Sequence, residues 1–197
     1  MPLAVCSLHA RDIATRIGIG GEHLVTRPLG KRYWPYFEKW MSECGTSRCI
    51  LDFENVELVD SSFADEVLGT VAAERAQHVL AWPCVLLRNL NSVSRENLDM
   101  ALLSRPIRQP GLRNCALPIL LDSGEIELAG KAEEHVRQSF GALHQYGQLT
   151  ARELADHDGL EISAASTRLK VLFNLGLACR EETRDERGRL YVYHRLG

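Results

Sequence analysis

Two sets of side chains in this 197-residue chain are spaced for chemistry. One is a serine pair behind an acidic residue. It lies in ILDFENVELVDSSFADEVLG, where an apolar strand-like run reaches Asp60, Ser61 and Ser62 and a helix-forming segment follows. Side chains at such a junction meet the free backbone N–H groups of the first helical turn, and Asp and Ser oxygens accept hydrogen bonds from them. Ser62 and Asp65 also match a capping spacing. A phosphate on Ser62 would gain from the positive end of the helix dipole and be opposed by the carboxylates of Asp65 and Glu66. Capping, a regulatory phosphosite and a contact for a protein or ligand are therefore three uses of Asp60, Ser61 and Ser62.

The second set lies near the end of the chain, in SAASTRLKVLFNLG. Each helical residue turns the chain by about 100°, which gathers Ala165, Leu169, Leu172 and Phe173 on one side. Ser163, Thr167, Lys170 and Asn174 fall opposite, with Ser166 and Arg168 nearby. Hydroxyls and an amide match the edges of bases, whereas cations match phosphates. The following LACREETRDERGRLYVYHRLG reads as two β-runs around a charged turn at Gly188. Arg184, Arg187 and Arg189 bracket its tip, where they could reach a nucleic-acid backbone or minor groove. Residues 163–197 hold seven Lys/Arg against four Asp/Glu, whereas residues 1–130 hold 13 against 16. Because Glu181, Glu182, Asp185 and Glu186 interleave with the arginines, a solvated ion-pair surface or a protein-contact face competes with nucleic-acid binding.

Enzyme chemistry has little support. There is no GxSxG elbow, and no histidine is tied in sequence to the serines. The acidic pairs Asp65/Glu66, Glu133/Glu134 and Glu181/Glu182 are chain neighbours, whose side chains diverge on a helix. The cysteines at 6, 44, 49, 84, 115 and 179 include no CxxC and no Cys/His pair at zinc spacing. Cys49, Cys84 and Cys115 fall in apolar runs, where a reduced thiol is a small hydrophobe. His78, His135, His144 and His157 have no partner at helical spacing and fit surface or helix-end positions. The glycines of GIGG at 18–21 lack the Lys-Ser/Thr of a phosphate loop and read as a turn. No catalytic group, metal or cofactor is expected.

These groups need elements to hold them. LAVCSL suits a strand and ARDIATRI a helix; GKRYWPYFEKWMSE carries Tyr33, Phe37, Trp40 and Met41 at helical spacing, with Pro35 near the start. RCILDF and WPCVLLRNL read as strands covered on both faces. Between them, SSFADEVLGTVAAERAQHV is a helix with a stripe of Phe63, Val67, Val71 and Ala72. SVSRENLDMALLSRP is a helix stopped by Pro106, and CALPILLDSGEIELAG two strands around DSG. This alternation predicts an α/β layer. Beyond it, KAEEHVRQSFGALHQYG is an amphipathic helix. LTARELADHDG has a capping box of Thr150 and Glu153, and the next helix ends at Gly176. Residues 1–129 and 130–197 thus read as two domains.

Net charge is −3, and 45% of residues are apolar, so composition alone names no partner. ALPILL is far short of the roughly 20 residues of a membrane span, and the N-terminus lacks a signal-peptide pattern. A cytoplasmic protein without membrane contact is expected.

The segment LTARELADHDGLEISAASTRLKVLFNLGLACREETRDERGRLYVYHRL resembles the winged helix-turn-helix domains of transcriptional regulators. That resemblance implies double-stranded DNA as a partner and, by analogy, a homodimer. ILDFENVELVDSSFADEVLG resembles STAS-like domains, relatives of the anti-sigma-factor antagonists. In the antagonist branch the second serine of the motif is phosphorylated by a partner kinase, and Ser62 matches it. Antagonists place glycine after that serine, whereas Phe63, Asp65 and Glu66 fit the STAS-like variant. Together the resemblances imply an α/β STAS-like mixed sheet followed by a winged helix, acting as a regulator whose first domain senses or docks a partner. The alternative is a protein-interaction switch of the antagonist type, in which the winged helix mediates protein contacts or dimerisation.

Overall fold

The structure, a computed structural model, describes residues 5–45, 48–77, 84–185 and 188–197. The expected alternation of strands and helices is present. In chain order the first elements are β1 (Val5–His9), α1 (Ala10–Arg16), β2 (His23–Leu24), α2 (Arg27–Cys44), β3 (Arg48–Asp52), β4 (Leu58–Val59) and α3 (Ser61–Ala76). They are followed by β5 (Val85–Arg88), α4 (Ser92–Arg108), β6 (Cys115–Leu120) and β7 (Ile126–Lys131). A mixed five-stranded sheet runs β1-β3-β5-β6-β7, parallel except for the antiparallel edge strand β7. The short β2 and β4 pair separately, in parallel.

Central strands are apolar on consecutive residues because helices or other strands cover both their faces: all of Cys115–Ile119 is buried. Pro118 cannot donate to a ladder, and the β5–β6 register begins one residue later, at Leu87 opposite Ile119. α3 is buried on more than the stripe anticipated. Ala64, Asp65, Leu68, Gly69 and Ala73 are enclosed alongside Phe63, Val67, Val71 and Ala72. A helix apolar nearly all round belongs inside the molecule. Its first turn meets α2 through Tyr33, whose ring lies edge-on to Phe63 at 5.1 Å. The Tyr33 hydroxyl donates to the Ala10 carbonyl at 3.1 Å.

Two prolines differ from expectation. Pro35 is the ninth residue of α2, not near its start, and Pro106 lies within α4, which continues to Arg108. A proline removes one i→i−4 bond and crowds one carbonyl. At Pro106 the cost is confined to the last turn, where Arg105 and Arg108 are held by Asp65. α4 also lies close over β7. A Cβ on Gly130, whose φ is +90°, would come within 2.5 Å of Leu102 Cβ and 2.3 Å of the Cys115 carbonyl oxygen. Only glycine permits that approach.

The remaining elements are α5 (Glu134–Tyr146), β8 (Gln148–Thr150), α6 (Ala151–Asp158), α7 (Ile162–Leu175), β9 (Cys179–Asp185) and β10 (Gly188–His194). β7 runs through Lys131, so α5 starts at Glu134, three residues later than its apolar spacing suggests. The capping box forms as expected: Thr150 Oγ1 accepts from Glu153 N–H at 3.2 Å, and Glu153 accepts from Thr150 N–H at 2.7 Å. β8, which sequence did not reveal, pairs with β10 in a three-stranded sheet ordered β8-β10-β9. α7 ends at Gly176 in the left-handed conformation, φ +74°. Val136, Leu143, Leu154, Ala165, Leu169, Leu172 and Tyr193 form this part's own core, apart from the larger core around the five-stranded sheet. Among the described residues no helix is long and apolar enough to cross a membrane.

Candidate functional site

β4 delivers the chain to Asp60, whose extended backbone (φ −82°, ψ 162°) opens α3. Its carboxylate serves two helices. Oδ1 accepts from Phe63 N–H at 2.7 Å, capping α3, and Oδ2 accepts from Thr26 N–H at 2.9 Å, at the residue preceding α2. α4 holds the approach to this turn: Ser94 Oγ accepts from Val59 N–H at 2.9 Å, and Asn97 Nδ2 donates to the Val59 carbonyl at 3.0 Å. Those polar α4 residues carried no signal, because their partners lie some 35 residues away in sequence. Capping by the serines does not occur. Ser61 and Ser62 are the first two residues of the helix, half-buried, and neither hydroxyl has a hydrogen-bond partner among the described residues. One residue, Asp60, already occupies the cap, leaving both hydroxyls unused.

The Ser62–Asp65 capping pair does not form either. Asp65 is buried one turn further along, among arginines from two other helices. Its carboxylate accepts from Arg27 at 2.7 Å, from Arg108 at 2.7 and 3.0 Å, and from Arg105 at 3.3 Å. Burial would raise the pKa of Asp65, but bonds from Arg108 and Arg27 and the charges of Arg105 and Arg108 hold it below the ordinary carboxylate value. Glu66 accepts from Arg27 at 2.9 Å. Adjacent carboxylates therefore do converge here, contrary to the helical-divergence argument, because one guanidinium is wide enough to span both. The negative charge expected beside Ser62 is neutralised by those arginines.

At the C-terminal ends of the parallel strands lies a second buried anion, Asp52. It accepts from Arg88 Nε at 3.2 Å, Asn89 Nδ2 at 2.7 Å and Glu54 N–H at 3.0 Å. His9, Asp52 and Glu54 each bring a potential ligand atom to within 4.8 Å of the others. Both Asp52 oxygens are already engaged by Arg88 and Asn89, which makes this carboxylate an anchor for β5.

On α7, Ala165, Leu169 and Leu172 are buried, while Ser163, Ser166, Thr167 and Lys170 are exposed. Thr167 Oγ1 donates to the Ser163 carbonyl at 2.9 Å, which leaves its lone pairs facing outward. Arg168 and Asn174 of the polar side, and Phe173 of the apolar side, are placed differently from expectation. Arg168 is half-buried and paired to Asp158 of α6 at 3.6 Å. Asn174, at the far end of the same face, lines a cleft with Ala76, Gln77, Leu112 and Arg113, because the last turns of α7 lean on the α/β part. Phe173 is only half-buried, and Arg180 lies over it at 4.2 Å and over Tyr191 at 4.5 Å.

On the hairpin, Arg184 and Arg189 are exposed, and Arg187 lies outside the described residues. Arg189 Nε is 3.0 Å from Glu182, so part of its charge is spent within the sheet. The structure thus offers an open patch of hydroxyls and one lysine on the first turns of α7, an arginine-bearing hairpin, and two unengaged serine hydroxyls at the start of α3. Compared with known proteins, the chain matches no family model and no curated sequence.

Proposed function

We propose that this protein is a DNA-binding transcriptional regulator. In this reading residues 1–129 are a STAS-like domain that docks or senses a partner, and residues 130–197 are a winged helix-turn-helix that reads double-stranded DNA in the cytoplasm. The observation that carries it is the two-sidedness of α7: four buried apolar residues, Ala165, Leu169, Leu172 and Leu175, anchor it, and Ser163, Ser166, Thr167 and Lys170 are exposed on the opposite side. The N-terminal end of a recognition helix is the end that meets bases. The order of helix, short strand, two helices and hairpin, closed by a three-stranded sheet, supports the same reading. Arg184 and Arg189 on the hairpin are then phosphate contacts, and Asn174 and Arg168 hold the helix in place.

The test is fluorescence-anisotropy titration of duplex DNA between about 50 and 200 mM salt. Lys170→Ala and Arg184→Ala should each weaken binding across all sequences and lower the slope of log K against log salt by about one. Ser163→Ala should change base preference with the salt slope intact. Failure of the wild-type protein to bind any duplex at the lowest salt overturns the proposal.

One observation favours a second reading, the protein-interaction switch. Ser62 presents an unengaged hydroxyl at a helix N-terminus flanked by arginine-neutralised carboxylates, which is a tolerant environment for a phosphate. Intact-mass analysis of protein from its native host, with Ser62→Ala as control, separates the two: an 80 Da adduct lost in the variant supports the switch.

A further inference from the structure

Cys84 and Cys179 are separated by 94 residues between them in the chain yet meet in space. Cys84 immediately precedes β5, and Cys179 is the first residue of β9. Both are buried, in a small cluster with Leu196, where the root of the hairpin rests on the α/β part. Cys84 Sγ lies 3.5 Å from the carbonyl oxygen of Ala178, the residue before Cys179, and both thiols are free. A cation completes the arrangement: Arg75, from the last turn of α3, donates through Nη2 to Cys84 Sγ at 3.6 Å. Gly176 is part of the same construction. A Cβ there would lie 2.6 Å from Arg75 Nε and Nη2, so a larger residue would push the guanidinium away from its present place.

We infer that Cys84 and Cys179 are a redox-active dithiol, oxidised by hydroperoxides to a disulfide that ties the hairpin to the α/β part. The inference goes beyond the regulatory reading and does not depend on it. The supporting chemistry is asymmetric. A bond from the Cys179 thiol, outweighing burial and joined by the charge of Arg75, brings the Cys84 thiol down to about 7. Cys179, as the donor in that bond and buried, is pushed up. When Cys84 is protonated its S–H has an acceptor in the Ala178 carbonyl, 3.5 Å away. Near neutrality Cys84 is therefore in part a thiolate, beside a thiol placed to resolve its sulfenic acid.

The Cys84 thiolate attacks one oxygen of hydrogen peroxide; the O–O bond breaks, Cys84 becomes a sulfenic acid and hydroxide leaves. Hydroxide takes up the proton that Cys84 had released, giving water. The Cys179 sulfur then attacks the Cys84 sulfur, the S–O bond breaks, and the Cys179 proton leaves with the hydroxyl as a second water. Two electrons pass from the two thiols to peroxide. A cytoplasmic disulfide of this kind is transient and reversed by thiol reductants.

The molecule supplies an internal control. Cys6, Cys44 and Cys49 also adjoin one another, but burial is the main effect there, pushing the Cys44 thiol up to about 11 and Cys49 up as well. Cys115 is likewise pushed up to about 11 by burial. Cys44, Cys49 and Cys115 remain protonated and slow to react.

The experiment is peroxide titration of the reduced full-length protein at pH 7, followed by non-reducing peptide mapping. A 2 Da loss mapping to a Cys84–Cys179 crosslink, reversed by dithiothreitol, is the expected result. Cys179→Ala should accumulate a dimedone-reactive sulfenic acid on Cys84, and Arg75→Met should slow crosslinking about tenfold by lowering the thiolate fraction. The sulfenic-acid readout needs no crosslink geometry, so it remains decisive if a variant shifts the hairpin. An unmodified Cys84 in the wild-type protein under excess peroxide, or oxidation confined to Cys6, Cys44 and Cys49, overturns the inference.

Discussion

Single residues in this protein owe their properties to neighbours that no local pattern announces. His144 fits a helix end by spacing, and it does lie in the last turn of α5, half-buried. Its ring packs on Phe140 with centroids 4.2 Å apart, and Nε2 is buried without a hydrogen-bond partner among the described residues. Burial, with a smaller contribution from Arg195, lowers its pKa to about 4. The unfolded chain takes up this proton near pH 6.5, whereas the folded chain does so only near 4. The neutral imidazole's contribution to stability is therefore complete above about pH 6.5 and declines as pH falls toward 4. Asp52 and Asp65 have folded pKa values below the ordinary carboxylate value, so their contribution is lost only at still lower pH. Urea unfolding at pH 7 and pH 5 isolates the histidine. The wild-type protein should lose more stability between those values than His144→Phe, which keeps the ring contact and cannot titrate; equal losses would refute the assignment.

At the scale of elements, the start of α3 shows how one acidic side chain sets the geometry of two helices. Asp60 caps α3 and holds the residue before α2, so Asp60→Ala should cost about 1 to 2 kcal/mol, at the upper end for a cap because two N–H groups lose their acceptor. Ser61→Ala and Ser62→Ala should each stay within about 0.5 kcal/mol, since neither hydroxyl is bonded among the described residues; chemical denaturation of the three variants distinguishes these outcomes. Much of this level was legible. The strand-helix alternation, the Thr150–Glu153 box and the stop at Gly176 are local in sequence, and the structure shows all three. What escaped reading is non-local. Arg27, Arg105 and Arg108 come from two helices to surround Asp65, and β8 exists only because β10 lies beside it. The helix carried past Pro106 belongs with these. Asp65 draws Arg105 and Arg108 inward on both sides of the proline, so tertiary contacts override the local stop signal.

Across the described residues, one face of α4 is both apolar and exposed. Val93, Met100, Leu103 and Ile107 are exposed on α4, Ile107 at 82% and Met100 at 63%. Their spacing puts them on one stripe less than a quarter-turn wide, if each residue advances by about 100°. The opposite face carries Leu98, Ala101 and Leu102 into the core, so α4 is apolar on two sides. A stripe of this kind costs solubility unless it is covered, and a twofold axis across it would pair it with itself. The homodimer expected of a winged-helix regulator is therefore proposed to form through α4. Light scattering at micromolar concentration should give twice the chain mass for the wild-type protein and the single-chain mass for Met100→Glu/Ile107→Glu. Both substitutions sit on solvent-facing positions, so the far-ultraviolet dichroism and unfolding midpoint of the double variant should match the wild type. A wild-type protein that is monomeric at that concentration, or a variant that remains dimeric, would remove α4 as the interface.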